Sequence, residues 1–157
     1  MNPRIEVRMI PEGRVGDGVM AQAASKPVPA PDELSKPFWE AARERRLVIQ
    51  RCAACGYYNH PPRPICESCS SERLEFHPVS GRATIHTFIV MRQPNNAGFE
   101  TDIPYVNIVV ELDEQPMLFV AGNLPFSELD RIHIGGRAEV WFEDRGADLV
   151  VPQFRPL

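Results

Sequence analysis

The sequence predicts a mainly β protein with an N-terminal helix, a cysteine-rich ribbon and a C-terminal five-stranded barrel. Three observations carry that prediction. All four cysteines lie in residues 52–69, as two C-x2-C pairs separated by ten residues. After residue 81 the chain repeats alternating apolar and polar runs bounded by turn residues. Ahead of the cysteines, "SKPFWEAARERR" places apolar side chains at helical spacing.

Residues 1–31 show no sustained period, and Pro27, Pro29 and Pro31 alternate with small residues. This reads as a disordered or extended tail. The first ten residues offer a short strand as the alternative. Residues 32–79 form the helix and ribbon. Ser35 is positioned to cap a helix over residues 35–46, and Pro37 is tolerated in its first turn. Phe38, Ala41, Ala42 and the stem of Arg45 would share its buried face, packed on the ribbon or on another subunit. "LVIQRC" then reads as a strand leading into the first cysteine pair.

Residues 80–157 are β throughout. "RATIHTFIVMRQ" and "PYVNIVVELD" alternate over long runs, joined by the loop 93–103. A hairpin across "DEQP" leads to "MLFVAGNL". A helical turn, "FSELDRI", and the glycine pair at 135–136 precede "RAEVWFED" and "LVVPQF". Five strands with a helical element before the fourth suit a Greek-key barrel of the OB type. A β-sandwich fragment is the alternative.

The cysteines admit three readings. Disulfides suit exported chains, and the charged, glycine-bearing N-terminus does not resemble a signal peptide. A redox C-x-x-C would open a helix in an α/β fold, which this pattern lacks. Two knuckles that together supply four thiolates make a closed tetrahedral site. Gly56 frees the first knuckle's turn, and Ser70 stands where the second would often have glycine. The segment is therefore read as a zinc ribbon with one structural Zn2+ per chain, held by Cys52, Cys55, Cys66 and Cys69. Such a shell has no vacant position to activate water. Iron in the same cage, as in an electron carrier, is chemically open. His60, between the pairs, is read as a loop residue.

Charge narrows the function classes. The net charge is −4, against a dedicated nucleic-acid binder. Residues 35–92 hold nine Lys/Arg and five Asp/Glu, a formal +4, whereas residues 93–157 hold four and eleven, a formal −7. This asymmetry points to an anionic ligand or acidic partner near the cysteines. No apolar run reaches the roughly 20 residues of a membrane helix, and a cytoplasmic location is expected. With the cysteines committed and no nucleophile or paired-acid motif, a binding or scaffolding subunit is the default.

The order "KPFWEAARERRLVIQRCAACG", "PPRPICESC", "SGRATIHTFIVMRQ", "PYVNIVVELD", "IGGRAEVWF" and "VPQF" resembles the DUF35 family over residues 32–156. The resemblance implies a rubredoxin-like zinc ribbon joined to an OB-fold. It also implies a non-catalytic partner of a thiolase-fold enzyme (ketothiolase, acyltransferase or retro-aldolase), with a hydratase-like subunit as a further partner. Acyl-CoA would be a bound ligand, received in a groove between ribbon and barrel. For its phosphates, Arg51, Arg63, Arg82 and Arg92 are candidates, because guanidinium forks match phosphate oxygens. Phe38, Trp39 and Phe99 are candidate partner-interface residues. A nucleic-acid module, a rubredoxin-like electron carrier and a free-standing acyl-CoA enzyme are the rival functions.

Overall fold

The structure is a computed structural model that describes residues 26–93, 97–146 and 148–157. Most of the expected tail, with the alternative strand of residues 1–10, lies outside the described residues. Residues 26–31 carry neither helix nor strand.

Helix α1 spans Lys36–Arg43. Ser35 makes no side-chain capping bond to it, contrary to expectation. Its hydroxyl instead accepts the Asp32 N–H at 3.1 Å, while the Asp32 carboxylate accepts the Ser35 N–H at 2.8 Å. The cap has moved one turn back, and the Ser35 hydroxyl and N–H hold the Asp32 carboxyl below its usual range. The helix ends earlier than residue 46. Arg45 takes φ +57, its N–H reaches Ala42 O at 2.9 Å, and the Arg46 N–H reaches Ala41 O at 2.9 Å. This is a Schellman turn with arginine in the left-handed position that glycine usually holds. Arg45 therefore leaves the helix and pairs with Asp144 at 2.5 Å instead of lying on the buried face. Ala41 and Ala42 stay buried.

Strands β1 (Val48–Cys52), β2 (Tyr58–Asn59) and β3 (Leu74–Pro78) form an antiparallel ribbon sheet in the order β2-β1-β3. Strands β4 (Arg82–Met91), β5 (Tyr105–Leu112), β6 (Phe119–Pro125), β7 (Arg137–Asp144) and β8 (Val150–Pro156) form the second sheet, in the order β6-β5-β4-β7-β8. A 3-10 helix, Phe126–Arg131, precedes β7. The edge strands β6 and β8 approach each other, and the Asn123 N–H donates to the buried Gln153 side chain at 2.6 Å. This is a partly open five-stranded OB barrel. The sandwich alternative falls, because all five strands belong to one curled sheet.

The inward faces follow from the alternation. Val106, Ile108, Val110 and Leu112 of β5 are all buried. In β4 the phase changes: Ala83 and Ile85 face inward, then Phe88 and Val90. The cause is a bulge, with Ile85 opposite Val110 and Thr87 opposite Val109, so that His86 is the extra residue. His86 is exposed, its ring 4.4 Å from that of Phe119.

Ribbon and barrel share one core. Leu47 and Ile49 belong to the same buried cluster as Ile85, Ile108 and Phe154. Each such side chain contributes about 1.5–3 kcal/mol through burial. Helix α1 lies against both β1 and β8. The Gln115 side chain accepts the Tyr58 N–H at 2.8 Å and donates to the Tyr58 carbonyl at 3.1 Å, which ties the β5–β6 turn to the ribbon.

Gly81 sits at the junction of the two sheets with φ +72. An added Cβ would lie 2.2 Å from Val140 Cγ1, on a strand whose N–H donates to the Gly81 carbonyl at 2.8 Å. Gly81→Ala is expected to cost about 1–3 kcal/mol and to lower Tm by several degrees. Gly135→Ala, also at positive φ but with nothing within 4 Å, should cost less. Equal melting shifts for the two variants would refute this account of the junction.

His60 packs beside Phe38, with ring centroids 5.7 Å apart, and its buried Nδ1 has no hydrogen-bond partner among the described residues. Burial pushes its pKa below the ordinary 6.5. The unfolded chain therefore binds a proton near pH 6.5 that the folded chain refuses until lower pH, so stability falls as pH drops below that value. A His60→Phe variant should show a flatter loss of Tm between pH 7.5 and 5.5 than the parent chain. Parallel curves would remove the assignment.

Candidate metal centre and the adjoining groove

The two cysteine knuckles are built alike. In the first, the Cys52 N–H donates to Tyr57 O at 2.8 Å and the Gly56 N–H to Cys52 O at 2.8 Å. In the second, the Cys66 N–H donates to Ser71 O at 2.9 Å and the Ser70 N–H to Cys66 O at 2.9 Å. Gly56 (φ +80) and Ser70 (φ +59) occupy the same left-handed position. Serine thus performs the turn that glycine performs in the first knuckle, at some conformational cost.

The four sulfurs lie within 4.8 Å of one another. Cys52–Cys69 and Cys55–Cys66 are each 3.7 Å apart, far beyond a disulfide. A tetrahedron of sulfurs at about 2.3 Å from a central ion has edges of about 3.8 Å. The cage therefore fits one four-coordinate metal ion and leaves it no open position. His60 is not part of the cluster.

The thiols are electrostatically unequal. Burial opposes ionisation of Cys52, but the N–H groups of Cys55 and Ala54 outweigh it and lower its pKa to about 6. Cys66 is lowered in the same way, by the N–H groups of Cys69 and Ser68 acting against burial. The Ser71 N–H favours the Cys69 thiolate, but the neighbouring sulfurs and burial prevail and push it up to about 12. Four adjacent sulfurs cannot all ionise without a cation among them.

The four candidate arginines do not converge. Arg51 folds over the first knuckle, donating to Gly56 O at 3.1 Å and lying 5.5 Å from the Tyr58 ring centroid. Arg63 pairs with Glu67 at 2.5 Å, and the Gln50 amide clasps its backbone. Arg82 begins β4, and Arg92 follows that strand's end, 5.6 Å from the Phe126 ring centroid. Ten residues of strand set those two about 30 Å apart.

Phe38 packs edge-on to Trp39, with centroids 5.2 Å apart, and lies against the shared core. Trp39 is half-buried. Phe99, also half-buried, rests 5.5 Å from the Tyr105 ring and carries the Lys26 ammonium over its face at 5.3 Å. A groove does lie between ribbon and barrel. Its 300 Å³ is bounded by Phe38, Trp39 and His60 on one side and by Val120, Ala121 and Val151 on the other. A second cavity of 300 Å³, lined by Phe99, Tyr105 and Trp141, lies farther along the barrel. Sequence reasoning missed the second cavity, because its walls come from separate strands and a loop. The alternation of β7 was the one available signal for Trp141.

Among the described residues, no helix is long and apolar enough to cross a membrane. Asp113, a turn residue, forms a two-pronged pair with Arg137 at 2.6 and 2.8 Å. That pair holds its carboxyl below the usual range.

A family model described as "ChsH2, rubredoxin-like zinc ribbon domain" matches residues 39–75, and "ChsH2, C-terminal OB-fold domain" matches residues 76–143. The chain is 38% identical over 133 residues to a probable enoyl-CoA hydratase alpha subunit of Thermomonospora curvata, covering 85% of this chain and 40% of that one. It thus spans less than half of that relative's length. It is 32% identical to a DUF35 domain-containing scaffold protein of Pyrococcus furiosus, over 76% of this chain and 90% of that one. Among solved structures it resembles a chain of the "Ltp2-ChsH2(DUF35) aldolase" with a TM-score of 0.72 and 36% identity, covering 82% of this chain and 98% of that one. Zinc-ribbon knuckles, one curled five-stranded sheet and near-full-length relatives lead to one conclusion: the chain belongs to the DUF35 family.

Proposed function

We propose that this chain is a non-catalytic accessory subunit that docks on a thiolase-fold enzyme acting on acyl-CoA and helps to hold both enzyme and substrate. The observation that carries this reading is the likeness, across 98% of the compared chain, to a DUF35 component of an aldolase assembly. The scaffold relative supports it. The hydratase alpha subunit extends well beyond the shared region, so a hydratase-like subunit enters here as a further partner and not as an activity of this chain.

Cys52, Cys55, Cys66 and Cys69 hold one structural Zn2+ in this reading. A four-thiolate shell activates no water, and the ion's contribution is to folding. Acyl-CoA is a bound ligand, and the groove between ribbon and barrel receives its pantetheine arm. Arg51 and Arg63 on the ribbon and Arg82 and Arg92 on the barrel are separate candidates for contacts to its phosphates. Trp39 and, farther along the barrel, Phe99 are the half-buried interface candidates, whereas Phe38 packs on the core beside Trp39.

Cys52→Ser and Cys69→Ser should each release the metal, measured as zinc per chain, and should remove hydrogen-exchange protection across residues 47–76. Stoichiometric zinc with unchanged melting in both variants would refute the assigned shell.

A tagged full-length chain drawn from native lysate should bring down a thiolase-fold protein in a fixed ratio, and acyl-CoA turnover should require that protein. Turnover by the isolated chain, abolished by one non-cysteine substitution, would overturn the accessory role.

A further inference from the structure

The groove at the ribbon and the aromatic cavity lie on one seam, the gap between the edge strands β6 and β8. The ribbon-end chamber is lined by Val120 and Ala121 of β6 and Val151 and Pro152 of β8. The loop-end chamber takes Asn123 to Pro125 from β6 and Gln153 from β8. Gly122 marks the pinch between them, where a Cβ would lie 3.0 Å from Gln153 Oε1 and 3.3 Å from the Phe154 nitrogen. Three residue steps along the strand carry Ala121 to Leu124, about 10 Å.

The chambers differ in chemistry. The ribbon-end chamber is apolar, and burial disfavours the charged form of its one imidazole, His60. Phe99, Tyr105 and Trp141 wall the loop-end chamber, and a small polar set faces them. Glu143 uses Oε2 for all its described contacts: Arg145 Nε at 3.0 Å, the second Arg145 nitrogen at 2.9 Å and Gln153 Nε2 at 2.8 Å. Its Oε1 has no partner among the described residues. The Asn123 side-chain oxygen accepts from Asn107 at 3.0 Å, which leaves the amide nitrogen as a donor. An acceptor and a donor between aromatic walls match a planar ring whose edge carries an amino group beside a ring nitrogen, as adenine does.

We propose that the loop-end chamber binds an adenine ring and that the seam holds one extended adenine-bearing thioester. Because β6 and β8 touch at Gly122, the uncharged arm of that ligand crosses over the outside of this contact to reach the ribbon-end chamber. The second half of this proposal rests on the acyl-CoA reading above; the ring pocket does not. The thioester end emerges beside Trp39, where a partner's reactive groups can meet it. Lys26, paired with Asp102, and Arg145, paired with Glu143, are the cations at the ring end, so the phosphates lie at the rim and not in a closed cationic nest.

The test uses the full metal-loaded chain and calorimetric titration with AMP, CoA and pantetheine. AMP and CoA should bind the parent chain, and Trp141→Leu should weaken both about tenfold while leaving pantetheine unchanged. Ala121→Trp, which fills the ribbon-end chamber, should weaken CoA and pantetheine but not AMP. Phe99→Leu repeats the ring-wall test if Trp141→Leu melts early. CoA binding that ignores both ring-wall variants would overturn the ring pocket while leaving the acyl-CoA reading intact. AMP binding that depends on Trp141, with CoA no tighter than AMP, would keep the pocket as a nucleotide site and remove the shared seam. Absence of AMP and CoA binding at millimolar concentration would overturn both.

Discussion

Four sulfurs held within 4.8 Å of one another are the constraint from which the N-terminal half takes its shape. The ribbon sheet has strands of five, two and five residues, too little surface to bury an independent core. Two knuckles with matching hydrogen bonds bring the thiols together, and a saturated ion is the means by which such a module usually resists unfolding. The buried Gln50 and Asn59 side chains add to this. Gln50 takes the Arg63 N–H of the intervening loop at 2.9 Å, and Asn59 takes the Glu67 N–H of the second knuckle at 3.0 Å. The loop between the cysteine pairs is thereby ordered from inside, where an unpartnered amide would be costly.

The ribbon is fused to the barrel rather than tethered to it. Leu47 and Ile49 enter the barrel's buried cluster, the Val79 N–H reaches Leu47 O at 3.0 Å, and Gln115 clasps Tyr58 from the other side. Helix α1 spans the join, with Ala41 and Ala42 turned inward and Phe38 against the core. A rigid join gives the groove a fixed width, which a hinge between two separate cores would not. Placing a ligand relative to a partner's reactive groups depends on that rigidity.

Much of this was legible in the sequence because the signals were local. Two C-x2-C pairs specify a cage without reference to the rest of the chain, and alternation over "PYVNIVVELD" specifies both a strand and its buried face. The failures share a cause: the deciding contact lay elsewhere in the fold. Arg45 adopts the left-handed cap without being glycine, so nothing marked the helix end. His86 bulges out of β4 inside a run that reads as regular, and the bulge shifts which residues face inward beyond it. The four arginines were sound candidates by chemistry, but strand length and the knuckle set them apart. The walls of the loop-end cavity, Phe99, Tyr105 and Trp141, come from a loop and two strands whose adjacency only the barrel's closure creates.

The acidic C-terminal half bears on how ligand and partner could share this surface. Four of the seven acidic residues beyond residue 113 are tied up in ion pairs: Glu128 with Arg131, Glu139 with Arg155, Glu143 with Arg145 and Asp144 with Arg45. All four pairs are at least partly solvated, so each adds little to stability. Their effect is to lower the repulsion that an anionic ligand would meet along β7 and β8. The Glu143–Arg145 pair is the least exposed of the four and stands at the loop-end cavity. An anion there meets a neutralised carboxylate, while the apolar ribbon-end groove stays free of charge. Under the proposed function, specificity along this seam comes from shape and hydrogen bonds more than from net charge.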